Sequence, residues 1–248
     1  MSVALVPSRT PHRSRSQVPG FAAISRARKV VATLGGRFSL ELGIDLDRDP
    51  EEVERWALAA TLFGNRISTT VAMRTYSVLE QAGVRTIEDA RGRDREELIA
   101  LLDEGGYVRY DERTASRLLA LAEVIGDRYD GGLTTLDEEI VDPGELERAL
   151  RALPGWGPVT VQAFLRELRC VWWSAKVPLD TRAALAARHL ELPAGSHALS
   201  SFAAAAHLDF RDLEAGLVRL SLTHDLAACP GGEECPFAAF DRDQLVHF

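Results

Sequence analysis

The sequence predicts an all-α protein. From about residue 50 onward apolar side chains recur at helical spacing, and the links between these runs are short. Only one brief stretch alternates like a strand. The 248 residues suffice for one large domain or two small ones, and 46% hydrophobic with 27% charged residues are the proportions of an ordinary globular protein. No apolar run approaches a membrane span, and Cys170, Cys229 and Cys235 are too few and unevenly spaced for a disulfide framework. A soluble, monomeric, cytoplasmic protein is expected, nucleoid-associated in a bacterium.

In chain order, residues 1–28 read as a disordered basic tail, with Pro7, Pro11 and Pro19 among Ser and Arg. Around Gly35-Gly36 the alternation of Phe38, Leu40 and Leu42 predicts a short β-hairpin. After Asp49-Pro50, the spacing of Val53, Trp56, Ala57 and Ala60 predicts the first helix, with acids in its first turn. A second runs over 68–81 and stops at Gly83. Short helices are predicted over 86–91 and 95–102, the latter stopped by Gly105-Gly106. Ala115, Leu118, Leu119, Ala122 and Ile125 mark a long helix after Asp111. Leu146, Leu150 and Leu153 mark another, begun near Pro143 and halted by Pro154. Further helices follow over 157–168, 180–190, 199–206 and 213–227.

The net charge of −8 is not what nucleic-acid binding leads one to expect. Its distribution is lopsided. Residues 1–40 carry seven basic side chains and no acidic one, leaving 22 basic against 37 acidic groups beyond them. The basic head is either a solvated tail or a source of phosphate contacts.

One turn carries the functional argument. Leu153, Pro154, Gly155, Trp156, Gly157, Pro158, Val159 and Thr160 join two helices through glycines two apart. Glycine lets a ligand approach the backbone closely, and the helix that starts there aims its unpaired N–H groups at whatever docks. Such a loop binds a phosphate backbone without reading sequence. By itself the pattern serves a tight helix–helix turn equally well. Twenty-three residues after Gly157, Asp180 opens a new helix in Val177-Pro178-Leu179-Asp180-Thr181-Arg182; an N-cap is the plain alternative for it.

Together, 153–168 and 178–190 resemble the helix-hairpin-helix, Gly/Pro-rich loop and Asp signature of the endonuclease III and 3-methyladenine DNA glycosylase superfamily. The segments 56–79 and 106–115 are similar to the family's early helix pair and to the approach to its central helix, so the likeness spans roughly 51–235. The resemblance implies two helical lobes with a cleft between them: a continuous lobe over 55–168, and a second built from 29–54 plus 169–248. It implies a partner, double-stranded DNA with a damaged base. The hairpin grips the backbone, the nucleotide is flipped into the cleft, and Asp180 promotes loss of the base. A carboxylate at a helix N-terminus is favoured in its ionised form, which suits stabilising an oxocarbenium-like sugar.

The chain departs from the family pattern in three places. Val159 stands where bifunctional members carry the lysine that forms a Schiff base, which points to hydrolysis without strand cleavage; Lys176 is the remote substitute. Only Cys229 and Cys235 follow the last helix, too few for an iron–sulfur cluster, so no cofactor is expected. A zinc ion gathered by His224, Cys229, Cys235 and His247 is set aside in favour of a structural loop, and no metal is expected. Asn65 and Arg66 stand where the family often places the glutamine that fills the gap left by the flipped base; both are also ordinary surface types. Trp172, Trp173, Tyr107 and Tyr110 are candidates for the base pocket, with plain packing as the alternative. Trp156 either presses on DNA or fixes the turn. The expected activity is a monofunctional DNA glycosylase with an alkylated purine as first substrate. A non-catalytic helix-hairpin-helix DNA binder and a glycosylase/lyase are the rivals.

Overall fold

The computed structural model describes residues 19–237, and among these every regular element is helical. The 86–91 helix shrinks to a 3-10 turn over Glu88–Ala90.

The N-terminal reading is corrected. Where the tail is expected to run on to residue 28 and a hairpin to follow, α1 spans Phe21–Leu34 and a short α2 spans Phe38–Glu41, while residues 1–18 of the expected tail lie outside the described residues. Ala27 and Val30 are buried on one face of α1, with Ala23, Ile24, Val31 and Leu34 packed around them. That is a helical period, and it overrides the three-residue alternation at 38–42. Gly35 ends α1 at a φ of 88°, a conformation that favours glycine, and turns no hairpin. Two of the basic residues are structural. Arg26 is buried, its Nε donating to the Leu190 carbonyl at 2.8 Å, and Arg28 donates to the Ala206 carbonyl. Arg9, Arg13 and Arg15 lie outside the described residues.

Ten more helices follow: α3 (Glu52–Phe63), α4 (Thr69–Gln81), α5 (Arg95–Gly105), α6 (Asp111–Arg128), α7 (Leu136–Glu139), α8 (Pro143–Arg151), α9 (Pro158–Glu167), α10 (Thr181–His189), α11 (Ser196–Ala205) and α12 (Phe210–Thr223). Side-chain caps begin five of them. Ser68, Asp94, Asp142, Asp180 and Asp209 each accept a backbone N–H from the first turn, which satisfies donors the helix itself leaves over.

Two apolar cores result. The larger is built on α3, which packs against α4 and α9, and is extended by α5, α6 and α8. The smaller gathers α1, α10 and α11 around α12. Phe38, Ile44, Leu46 and Val53, and likewise Trp172, Ala175 and Val177, pack in the larger core, although the sequence assigned their segments to the second lobe. The reason is apolar burial: the 169–177 connector folds back on α9, with Trp172 edge-on to Phe164 at 5.5 Å.

Within the larger core, Glu167 of α9 accepts the Phe38 and Ser39 N–H groups at 2.9 and 2.8 Å and so caps α2. A charged cluster ties the two cores together. Arg37 and Arg211 share Asp47, and Asp209 and Asp212 complete that cluster. Hydrogen bonding from Arg211 holds the Asp47 carboxyl below the usual range. Burial pushes Asp209 up, but its bonds to Arg211 outweigh this and its pKa is also lowered.

Candidate functional site

The α8–α9 turn closes on itself through Trp156 N–H, which bonds the Leu153 carbonyl at 3.1 Å. Leu153 is buried, and the Trp156 ring is sunk into the larger core, edge-on to Phe164 at 4.9 Å with Nε1 donating to Thr61 Oγ1. Trp156 therefore fixes the turn. Gly155 sits at φ 82°, where other residues are strained. Gly157 differs. Its φ of −86° suits any residue, and a Cβ there would meet nothing within 4 Å. Neither the chain's backbone nor its packing requires glycine at 157.

α9 starts immediately, with Pro158 at its first position. The first turn bond comes from Val161 N–H, to the Gly157 carbonyl, so the N–H groups of Val159 and Thr160 stand ahead of the helical ladder. Val159 is exposed and Thr160 buried. Thr160 locks α9 to α3: a Cβ at Gly64 would lie 1.9 Å from its Oγ1. The turn, Gly64 and Asn65 line an open hollow of about 500 Å³, together with Arg117 and Arg151. Arg113 and Arg117 share a face of α6 at i, i+4. Arg113 and Arg109 both stack on the Tyr110 ring. Among the described residues, Arg66, Arg109, Arg113 and Arg117 pair with no carboxylate; Arg151 pairs with Glu147 at 3.5 Å. A basic strip therefore lies beside the hairpin on an otherwise acidic protein.

Of the two candidates in the early turn, Asn65 is committed internally. Its Nδ2 donates to Tyr107 Oη at 3.0 Å, while that hydroxyl donates to the Leu62 carbonyl at 2.6 Å. Burial pushes the Tyr107 phenol up to about 12. Arg66 is exposed. Tyr107 and Trp172 are buried in the core, Tyr110 half-buried, and Trp173 is 70% exposed with Lys176 Nζ over its ring at 3.8 Å. The two tryptophans and Lys176 line a second open pocket of about 680 Å³, shared with His197 and Phe210. Asp180 lines neither this pocket nor the hollow at the hairpin.

Asp180 caps α10, one carboxylate oxygen accepting Arg182 N–H at 2.8 Å. The other lies 3.7 Å from Arg166 Nη1. Its own N–H donates to the fully buried Glu214 of α12 at 3.0 Å. Glu214 in turn faces Arg169 Nε at 3.0 Å, while the Arg169 guanidinium holds the Val177 and Pro178 carbonyls at 2.7 and 2.9 Å. At the other end of the connector, Asp137 accepts the Trp173 and Ser174 N–H groups, both at 2.8 Å. Burial pushes the Glu214 carboxyl up against the opposing pull of Arg169 and Arg166. Arg166 is itself buried, with no hydrogen-bond partner for its Nε.

Arg166, Arg169 and Glu214 are the residues sequence reasoning missed. The available signal was charge inside apolar helical stripes, Arg166 after Phe164-Leu165 and Glu214 between Leu213 and Leu217. No protein-family model matches the chain, and neither does any curated protein.

Proposed function

We propose that the chain binds duplex DNA through the 153–160 turn and hydrolyses the N-glycosidic bond of a flipped, damaged base. The observation that carries this reading is the spare room at Gly157. An open glycine, two N–H groups ahead of the α9 ladder and a neighbouring strip of arginines suit a phosphate backbone at close range. Arg113, Arg117 and the exposed Arg66 supply the positive charge the net −8 lacks.

In this reading Asp180 stabilises the oxocarbenium-like sugar as the base departs, and water completes the hydrolysis. Its carboxylate is held by the first turn of α10 and faces Arg166. Val159 offers no amine, so no covalent sugar adduct forms and the strand stays intact until alkali is added. An alkylated purine is the first substrate to try.

A second reading, a DNA binder without catalysis, is favoured by one observation: the carboxylate is already engaged by its cap and by Arg166 and lines neither pocket. One experiment separates the two. Duplexes carrying methylated purines, hypoxanthine, uracil or oxidised bases are incubated with the protein and with Asp180→Asn, and strand breaks are read with and without alkali. Asparagine also caps helices, so the variant keeps its fold. Alkali-dependent breaks that vanish in the variant support the glycosylase. Salt-sensitive binding with no release from any duplex selects the non-catalytic binder, and no DNA binding sinks both.

A further inference from the structure

The C-terminal loop brings together four side chains the proposed glycosylase chemistry does not use. His189 is the last residue of α10, His224 follows α12, Cys229 lies in the loop beyond, and Cys235 follows the 3-10 turn Gly232–Glu234. One ligand atom from each lies within 4.8 Å of all the others. Cys235 Sγ and His224 Nε2 are 3.7 Å apart. A tetrahedral zinc site with Zn–S of about 2.3 Å and Zn–N of about 2.0 Å sets its ligands about 3.4–3.8 Å apart, so a small contraction closes the set.

Two further features point to a ligand. His189 Nε2 is buried and has no hydrogen-bond partner, and such a polar atom is normally satisfied. The loop also presses hard on this histidine: Gly231 sits at φ 81°, and a Cβ there would come within 2.7 Å of the His189 carbonyl oxygen. The nearby acids are otherwise occupied, Glu191 and Glu233 both pairing with Arg26.

We infer that His189, His224, Cys229 and Cys235 bind one zinc ion in a closed, structural site. Two thiolates and two imidazoles form a neutral complex with Zn²⁺, and the two thiol protons leave to solvent on binding. Four protein ligands leave no open position for substrate, so the metal does not take part in catalysis. This revises the sequence expectation of no metal. The loop reading missed the site because its fourth ligand is His189, far upstream; His247, the ligand weighed before, lies outside the described residues.

The site also has a mechanical consequence. The Asp180 N–H bonds Glu214 near the start of α12, while His189 and His224 meet at the far ends of the same two helices. α10 and α12 therefore run parallel, joined at one end by a hydrogen bond and at the other by the metal. The zinc holds the helix that Asp180 caps.

The test uses the full chain, purified under reducing conditions and passed through a desalting column. One zinc per chain is expected by elemental analysis. Replacement by Co²⁺ should give the visible bands and thiolate charge transfer of tetrahedral coordination. Cys229→Ser and His189→Ala should each lose most of the metal, while Cys170→Ser, at an exposed cysteine, keeps one per chain and the full cobalt spectrum. Because that control leaves only Cys229 and Cys235 as thiolate donors, it reports on the site even where the ligand variants fail to fold. Metal-free protein from zinc-supplemented growth, a Cys229–Cys235 disulfide in the freshly purified chain, or an iron–sulfur chromophore overturns the proposal.

Discussion

At the α8–α9 turn the chain leaves space and polarity unused, with no neighbour where a Gly157 side chain would go and, lining the same hollow, an Arg117 that meets no carboxylate. At Asp180 the opposite holds. Both carboxylate oxygens face a partner, and the Arg169 guanidinium is engaged by Glu214 and by the carbonyls of Val177 and Pro178. The contrast separates surface whose polar groups the chain itself leaves open from interior that organises itself. It also explains why an N-cap alone says little. Asp142 and Asp209 cap their helices as Asp180 does, and only Asp180 faces a buried arginine from the hairpin helix.

Breaking the self-satisfied region has the largest effect. Arg169→Leu strands the buried Glu214 carboxylate and frees the connector, with an expected loss of about 3–5 kcal/mol by urea denaturation. A loss under about 1 kcal/mol would show that this seam does not hold Asp180 in position. Next comes the contact that sets the hairpin helix on α3. Gly64→Ala drives a methyl into Thr160 Oγ1 and should cost about 1–3 kcal/mol, with part of it recovered in the double variant Gly64→Ala/Thr160→Ala.

The two hairpin glycines sharpen the comparison. Gly155→Ala, at positive φ, should lose about 1–2 kcal/mol of stability. Gly157→Ala should shift stability by no more than about 0.5 kcal/mol yet weaken DNA binding, because its methyl fills space only a ligand would occupy. Equal affinity for Gly157→Ala and the parent chain would remove the close backbone contact from the proposal. Arg113→Ala and Arg117→Ala should each lower the slope of log affinity against log salt by about 1 and leave folding unchanged.

The smallest effect is the pH response. Asp47 and Asp209 have native pKa values below their ordinary ones. Their contribution is fully present above the unfolded value of about 3.9 and is lost as pH falls through the native values. Glu214, raised by burial, acts with the opposite sign, its contribution fading as pH rises from about 4.3 through its native pKa. Thermal unfolding from pH 3 to 7 should therefore show an acid limb that flattens in Asp47→Asn.

Much of the site was legible wherever the controlling physics is local. Proline at a first helical position, glycines at a turn and Asp before a helix each act within a few residues, so the hairpin and the Asp180 cap could be read directly. The N-terminus was misread because arginines obscured the period of Ala27, Val30 and Leu34. Two of those arginines, the buried Arg26 and the exposed Arg28, prove to be donors to carbonyls more than a hundred and sixty residues away.

By itself, then, the sequence determined the all-α class, the break between α8 and α9, and the helix that begins at Asp180, all products of short-range sterics and capping. Only the tertiary structure decided that Asn65 spends its amide on Tyr107, that Arg166 and Glu214 close around Asp180, and that His189 joins two cysteines some forty residues downstream. These pairings depend on how helices pack, and packing is set by the apolar faces of distant segments, which no local spacing records.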